Sequence, residues 1–161
     1  MIDLFDPHQA GSDPVGLRLR FLPDPHCSRI VRERVFEYAR SHGIGSPIID
    51  DLMFAIGEAL ANAIEHSHSA ATIEVRCDID DDKIVAAVVD SGRGFDSAAA
   101  VANRLPDGLV ERGRGVPIMK GFTDIFALRS IPGQGTAVVL GRYVPRPAVA
   151  GRTAKETSAA R

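Results

Sequence analysis

Four short stretches carry the side chains whose types and spacing could do chemistry. The first is Glu58-Ala-Leu-Ala-Asn62-Ala-Ile-Glu65-His66. Glu58 and Asn62 stand at i and i+4, so on a helix a carboxylate and a carboxamide point the same way one turn apart. The second, Asp90-Ser-Gly92-Arg-Gly94-Phe95, closes an apolar run with an acid and then supplies two glycines. A carboxylate placed there accepts from an amine, and glycine lets the backbone approach a flat ring closely. The third, Gly113-Arg114-Gly115-Val116-Pro-Ile-Met119, opens a helical pattern with glycines. Backbone N–H groups at such a start favour phosphate oxygens. The fourth, Gly133-Gln-Gly135-Thr136, leads into the last apolar run.

Each stretch also has an ordinary reading. A polar helix face facing solvent, an Asp-x-Gly turn, a flexible loop before a helix and a hairpin turn would produce the same residues. Several alternatives are excluded by pattern. No Gly-x4-Gly-Lys-Ser/Thr occurs, and neither glycine pair carries the third glycine of a dinucleotide fingerprint. His66 and His68 are i and i+2 and share no helix face, which argues against a zinc site. Ser67 sits in no nucleophile elbow, which argues against hydrolase chemistry.

The elements that must position these stretches are legible from periodicity. Over residues 48–66, Ile49, Leu52, Met53, Ile56, Leu60, Ala63 and Ile64 form one apolar stripe at helical spacing, opposite Glu58, Asn62, Glu65 and His66. Ser46-Pro47 is expected to cap and start this central helix. Residues 17–21 alternate apolar and basic, a short half-buried strand. Asp24 can cap a first helix that opens at Pro25, runs to about His42 and stops before Gly43. Its buried side is expected from Ile30, Val31, Val35, Phe36, Tyr38 and Ala39, with Arg29, Arg32, Glu33 and Arg34 mostly outward. Ile73, Val75, Cys77 and Ile79 alternate with polar residues as a strand. After the Asp80-Asp81-Asp82 turn, residues 84–89 form a continuous apolar strand suited to the middle of a sheet. Residues 90–112 are too long for an ordinary connection, so a functional loop is expected. A short helix over residues 115–122 follows, then strands near 124–130 and 136–144.

Composition bounds the rest. The chain has 161 residues, 45% hydrophobic and 25% charged, enough for one core. A net charge of −2 offers no basic footprint for direct nucleic-acid binding. No apolar run reaches membrane-spanning length and no signal peptide opens the chain, so a cytoplasmic location is expected. Cys77 falls on an apolar strand position, which favours core packing over a disulfide with Cys27.

Taken in order, the four stretches resemble the boxes of the GHKL ATP-binding superfamily. Glu58-x3-Asn62 looks like its N box, Asp90-x-Gly92-x-Gly94 its first glycine box, Gly113-x-Gly115 its second, and Gly135-Thr136 its last. Within that superfamily, Glu-Ala-x2-Asn-Ala-x2-His is similar to the anti-sigma-factor serine kinases, the RsbW-like group. The resemblance covers roughly residues 17–144. It implies an α/β fold, an α+β two-layer sandwich of Bergerat type, with a mixed, mostly antiparallel sheet covered on one face by about three helices. It also implies a lead-in over 1–15, an ATP-binding kinase domain over 16–144 with its lid near 95–115, and a disordered tail over 145–161.

By the same resemblance the cofactors are ATP and Mg²⁺. Asn62 would ligate Mg²⁺, and Glu58 would be the general base. Asp90 would accept from the adenine amine, with Gly92, Gly94 and Phe95 shaping the base pocket and Thr136 reaching the adenine side. Arg112, Gly113, Arg114, Gly115 and Val116 would lie around the phosphates, and His66 beside them. Arg32 matches a position at the family's partner surface. The implied partners are an alternative sigma factor, a STAS-domain anti-sigma-factor antagonist and a second copy of the chain, docked through the first strand and first helix. A nucleotide-gated binding module with little or no phosphotransfer, and a switch kinase acting on a larger scaffold, are the alternatives. The lid departs from some relatives: Asn103-Arg-Leu-Pro-Asp-Gly108 replaces a Thr- and Lys-bearing segment, so their γ-phosphate contacts do not carry over.

Overall fold

The computed structural model describes residues 16–67, 71–95 and 115–145. The expected lead-in, most of the expected lid with Arg112, Gly113 and Arg114, and nearly all of the expected tail lie outside the described residues.

Apolar and basic residues alternate in β1 (Leu17–Phe21), which places one row of side chains on the core. The chain then turns into α1 (Pro25–Ser41), where the Asp24 side chain accepts from the His26 N–H at 2.8 Å as the N-cap. Val31, Val35 and Ala39, spaced by one turn, form its buried line. Ile30 is a correction: it is 50% exposed, because it steps about 100° off that line. α2 (Ser46–His66) is the centre of the molecule, with Ile49, Leu52, Ile56 and Leu60 fully buried. Its cap is also a correction. Gly45, in extended conformation, accepts from the Ile48 and Ile49 N–H groups, so the helix starts a residue early and Ser46 lies inside its first turn.

β2 (Ile73–Asp80) and β3 (Lys83–Asp90) form the expected hairpin. α3 (Gly115–Gly121) leads to a second hairpin of β4 (Ile125–Ile131) and β5 (Gly135–Tyr143). The five strands lie in the order β1-β2-β3-β5-β4, and all four pairings are antiparallel. The three helices among the described residues pack on one face of this sheet, an α/β two-layer arrangement consistent with the Bergerat ATP-binding fold. β3 holds the central place that its apolar run suggested. Only every second residue of it is buried, because the helices cover a single face. Cys77 is buried in the core, which pushes its thiol up to about 12, and both cysteines are free. No helix among the described residues is long and apolar enough to cross a membrane.

Register decides which side chains meet. Ile73, Asp90, Thr136 and Ser130 stand opposite one another across β2, β3, β5 and β4. Directly opposed residues share a sheet face. Three polar side chains therefore end the core-facing row where the chain leaves β3.

Candidate functional site

On α2, Glu58 and Asn62 are both half-buried rather than fully solvated. The start of α3 explains what they face. Gly115 is buried, and a Cβ added to it would stand 2.7 Å from Glu58 Oε1 and 2.9 Å from Asn62 Nδ2. The missing side chain is what allows α3 to begin against this carboxylate and carboxamide. Val116 follows half-buried, in contact with the core.

Asp90 closes β3 and is 7% exposed. Burial raises its carboxyl above the usual aspartate range, opposed by backbone N–H donors at Gly92 and Thr136 and by the nearby His66. The Gly92 N–H reaches Asp90 Oδ1 at 2.8 Å. Gly92 itself lies on the end of α2, where a Cβ would meet the His66 carbonyl at 2.6 Å and Ser67 Cα at 3.1 Å. His66 is one turn beyond Asn62, so the last two turns of α2 run from the Glu58–Asn62 pair to the loop that Asp90 opens. The exposed His66 side chain lies close enough to Asp90 to favour its ionised form.

That loop is clamped on its far side as well. Gly94 has φ 59° and packs so closely on the Ile131 carbonyl that a Cβ would overlap it. Gly135, φ 100°, meets the Asp90 carbonyl in the same way. Phe95 is partly exposed, and its N–H donates to Ser130 Oγ at 2.8 Å. Ser130 Oγ lies 2.9 Å from Thr136 Oγ1 and 3.3 Å from the Gly135 carbonyl. The sequence reading missed Ser130. A lone serine in Leu128-Arg-Ser-Ile131 matches no motif, and only the hairpin register, which sets Ser130 opposite Thr136, would have shown it.

The structure thus brings together Glu58, Asn62, His66, Asp90, Gly92, Gly94, Phe95, Gly115, Val116 and Thr136. Arg32 stands apart. It lies on the exposed side of α1, over Gly57, beside a groove of about 470 Å³ lined by Arg29, Arg32, Glu33, Phe36, Glu37 and Met53. None of the residues around Asp90 and Asn62 lines this groove. Among the described residues no three His, Cys, Asp or Glu side chains converge as metal ligands.

Residues 21–142 match the family described as Histidine kinase-like ATPase domain. The chain is 29% identical over 135 residues to an Anti-sigma F factor of Caldanaerobacter subterraneus subsp. tengcongensis, covering 81% of this chain and 94% of that one. It is 25% identical over 138 residues to the Serine-protein kinase RsbW of Bacillus velezensis, covering 80% and 85% respectively. Among solved structures, the RsbU and RsbW domains of Rv1364c from Mycobacterium tuberculosis superpose with a TM-score of 0.63 at 21% identity. That match covers 84% of this chain and 34% of the other, and supports the fold.

Proposed function

Because the chain belongs to the histidine kinase-like ATPase domain family, in its anti-sigma-factor kinase (RsbW-like) branch, we propose that it is a cytoplasmic ATP-dependent protein serine kinase that also sequesters an alternative sigma factor. Its phosphoacceptor is a small STAS-domain antagonist, which competes with the sigma factor for the kinase. The observation that carries this reading is the joint placement made by α2. One turn sets Glu58 and Asn62 against buried Gly115, and the next lies under the loop that Asp90 opens.

In this reading Asp90 accepts from the adenine amine, while the tight glycine contacts at Gly92 and Gly94 keep the loop flat for the ring. Thr136 reaches the same edge of the base. The residues present fit a hard cation: the half-buried Asn62 carboxamide stands at the start of α3, and its oxygen would be a neutral ligand of the kind such a cation takes beside phosphates and water. When bound, Mg²⁺ neutralises charge on the phosphate oxygens. Gly115 and Val116, with Arg112, Gly113 and Arg114 from the preceding segment, flank the phosphates. Glu58 takes the proton from the incoming serine hydroxyl as its oxygen bonds to the γ-phosphorus and the bond to the ADP oxygen breaks.

The test uses the full chain with Mg²⁺, γ-labelled ATP and its STAS antagonist. Label moves to the antagonist with the native chain. With Glu58→Gln transfer falls by about 10²–10⁴-fold while ATP uptake measured by calorimetry stays. Absence of adenine-nucleotide uptake by the native chain rejects the proposal. A second reading, a nucleotide-gated partner switch without transfer, is favoured by the Asn103-Arg-Leu-Pro-Asp-Gly108 segment, which lacks the Thr and Lys of some relatives. ATP-dependent partner capture with no label moved selects it.

A further inference from the structure

The most exposed large apolar side chain among the described residues lies one helical turn from the proposed base. Phe54 is 63% exposed, although Met53, Ala55 and Ile56 beside it on α2 are buried. Apolar residues exposed singly are ordinary. Phe54 is not single. Its ring stacks on Phe122, just past the end of α3, with centroids 5.1 Å apart and planes at 23°. Ile118, also exposed, stands one turn before Phe122, and its carbonyl accepts from the Phe122 N–H at 3.2 Å. Residues four apart share a side of a helix, so Ile118 extends the apolar strip that Phe54 and Phe122 begin.

The strip has a direction. Gly115, the first residue of α3, packs on Glu58 and Asn62, while Phe122, beyond its last, packs on Phe54. α3 therefore runs back along α2, and the seam between them leads from the aromatic pair to the Glu58 carboxylate. Phe54 and Glu58 are i and i+4, about 6 Å apart along the axis. An extended segment rises about 3.3 Å per residue, so two of its residues cover that distance. Met53, next to Phe54 in the chain, lines the groove beside Arg32 together with Phe36. The apolar surface thus continues from the strip into that groove.

The chemistry assigns a side to each reactant. In phosphoryl transfer the attacking and leaving oxygens lie roughly in line, so acceptor and ADP stand on opposite sides of the γ-phosphorus. Beyond Glu58 on α2 come Asn62 and the loop that Asp90 opens, the side read as the nucleotide's. Before Glu58 comes the Phe54 strip. Phosphates gain nothing from an aromatic pair, whereas a peptide segment has apolar side chains to bury there. We propose that Phe54, Phe122 and Ile118 form the docking strip for the serine-bearing segment of the phosphoacceptor, with an apolar side chain two residues from that serine seated on the Phe54–Phe122 pair. The inference rests on the kinase reading and deepens it, naming what the acceptor carries beside its hydroxyl.

The experiment follows label from γ-labelled MgATP into the STAS antagonist over a range of antagonist concentrations. It compares the native full chain with Phe54→Ser, Phe54→Tyr and Ile118→Ser, and takes MgATP affinity by calorimetry. In Phe54→Ser the KM for the antagonist rises about tenfold or more, the loss expected of an aromatic interface anchor. Both kcat and ATP affinity stay within about twofold, since only acceptor binding is removed. Phe54→Tyr keeps the ring and the native KM. Ile118→Ser, on the other helix, raises KM in the same sense, so a folding defect in one variant does not decide the matter. Serine put in place of the antagonist's apolar residue two positions from its phosphorylated serine raises KM with the native chain and adds little to Phe54→Ser. An unchanged KM in Phe54→Ser, with label still moved by the native chain, overturns the docking strip and leaves the kinase standing. So does a loss confined to sigma-factor capture, to self-association or to ATP affinity, each of which gives the strip another occupant. A native chain that moves no label overturns both.

Discussion

At the scale of single residues, the site holds a carboxylate whose charge is set against its surroundings. Asp90 is buried, and its carboxyl is raised above the ordinary value of 3.8 chiefly by that burial. A group raised in the folded state contributes stability that is fully present below its unfolded pKa and is lost as pH rises through the folded one. Burial therefore disfavours the charge on Asp90, whereas a hydrogen bond from an amine is strongest to the ionised carboxylate. Affinity and stability consequently respond to acid in opposite directions. ATP affinity should decline as pH falls through the raised pKa of Asp90, in a range where an exposed aspartate is still charged. Asp90→Asn, weaker at neutral pH, should lose this acidic limb. Calorimetric titrations across the acid range test it, and an identical limb in both proteins would show that the titrating group lies elsewhere.

The elements add a distinction between glycines that shape chemistry and glycines that hold the fold. At Gly115 a Cβ would meet side-chain atoms only, the ends of Glu58 and Asn62 and the Glu58 Cγ, groups that can swing away. Gly115→Ala should therefore cost less than about 1 kcal/mol in stability, yet push aside the pair proposed for metal and proton, lowering ATP affinity and transfer about tenfold. At Gly135 the same Cβ would strike the Asp90 backbone at φ 100°, where nothing can swing. Gly135→Ala should destabilise by about 1–3 kcal/mol, read as a drop in Tm. If Gly115→Ala destabilises as much as Gly135→Ala, the start of α3 is a packing site and not a functional one. Much of this architecture is legible in the sequence, because α2 and β2 have strong periods and Asp90-x-Gly92 is a local signal. What escapes is set by contacts between elements. Ser130 is defined by the β4–β5 register, Ile30 by the line that α1 turns to the core, and the α2 cap by which carbonyl Ile48 and Ile49 reach. Most of the expected lid, with Arg112 to Arg114, lies outside the described residues.

The whole molecule separates two surfaces on opposite registers of one helix. Glu58 turns toward α3, while the preceding residue, Gly57, leaves room for the Arg32 side chain of α1. The groove beside Arg32 is lined by the apolar Phe36 and Met53 together with charged residues. Those charges are not equivalent. Arg29 pairs with Glu33 at 2.7 Å and Arg34 with Glu37 at 3.4 Å, whereas Arg32 forms no ion pair among the described residues. An exposed cation over a half-apolar groove suits an acidic partner surface, since arginine contributes both a planar donor array and apolar contact area. The proposed sigma factor and antagonist compete, so one face that both read is enough for the switch. Arg32→Glu should then reduce capture of the sigma factor and of the antagonist by at least about tenfold. ATP affinity should stay within about twofold, because no residue around Asp90 and Asn62 lines the groove. Surface plasmon resonance with each partner, set beside calorimetry with MgATP, separates the two effects. Undiminished capture of both partners would place their footprint elsewhere, and a fall in ATP affinity alone would mean that α2 transmits the change from Gly57 to Glu58 instead of keeping the two surfaces apart.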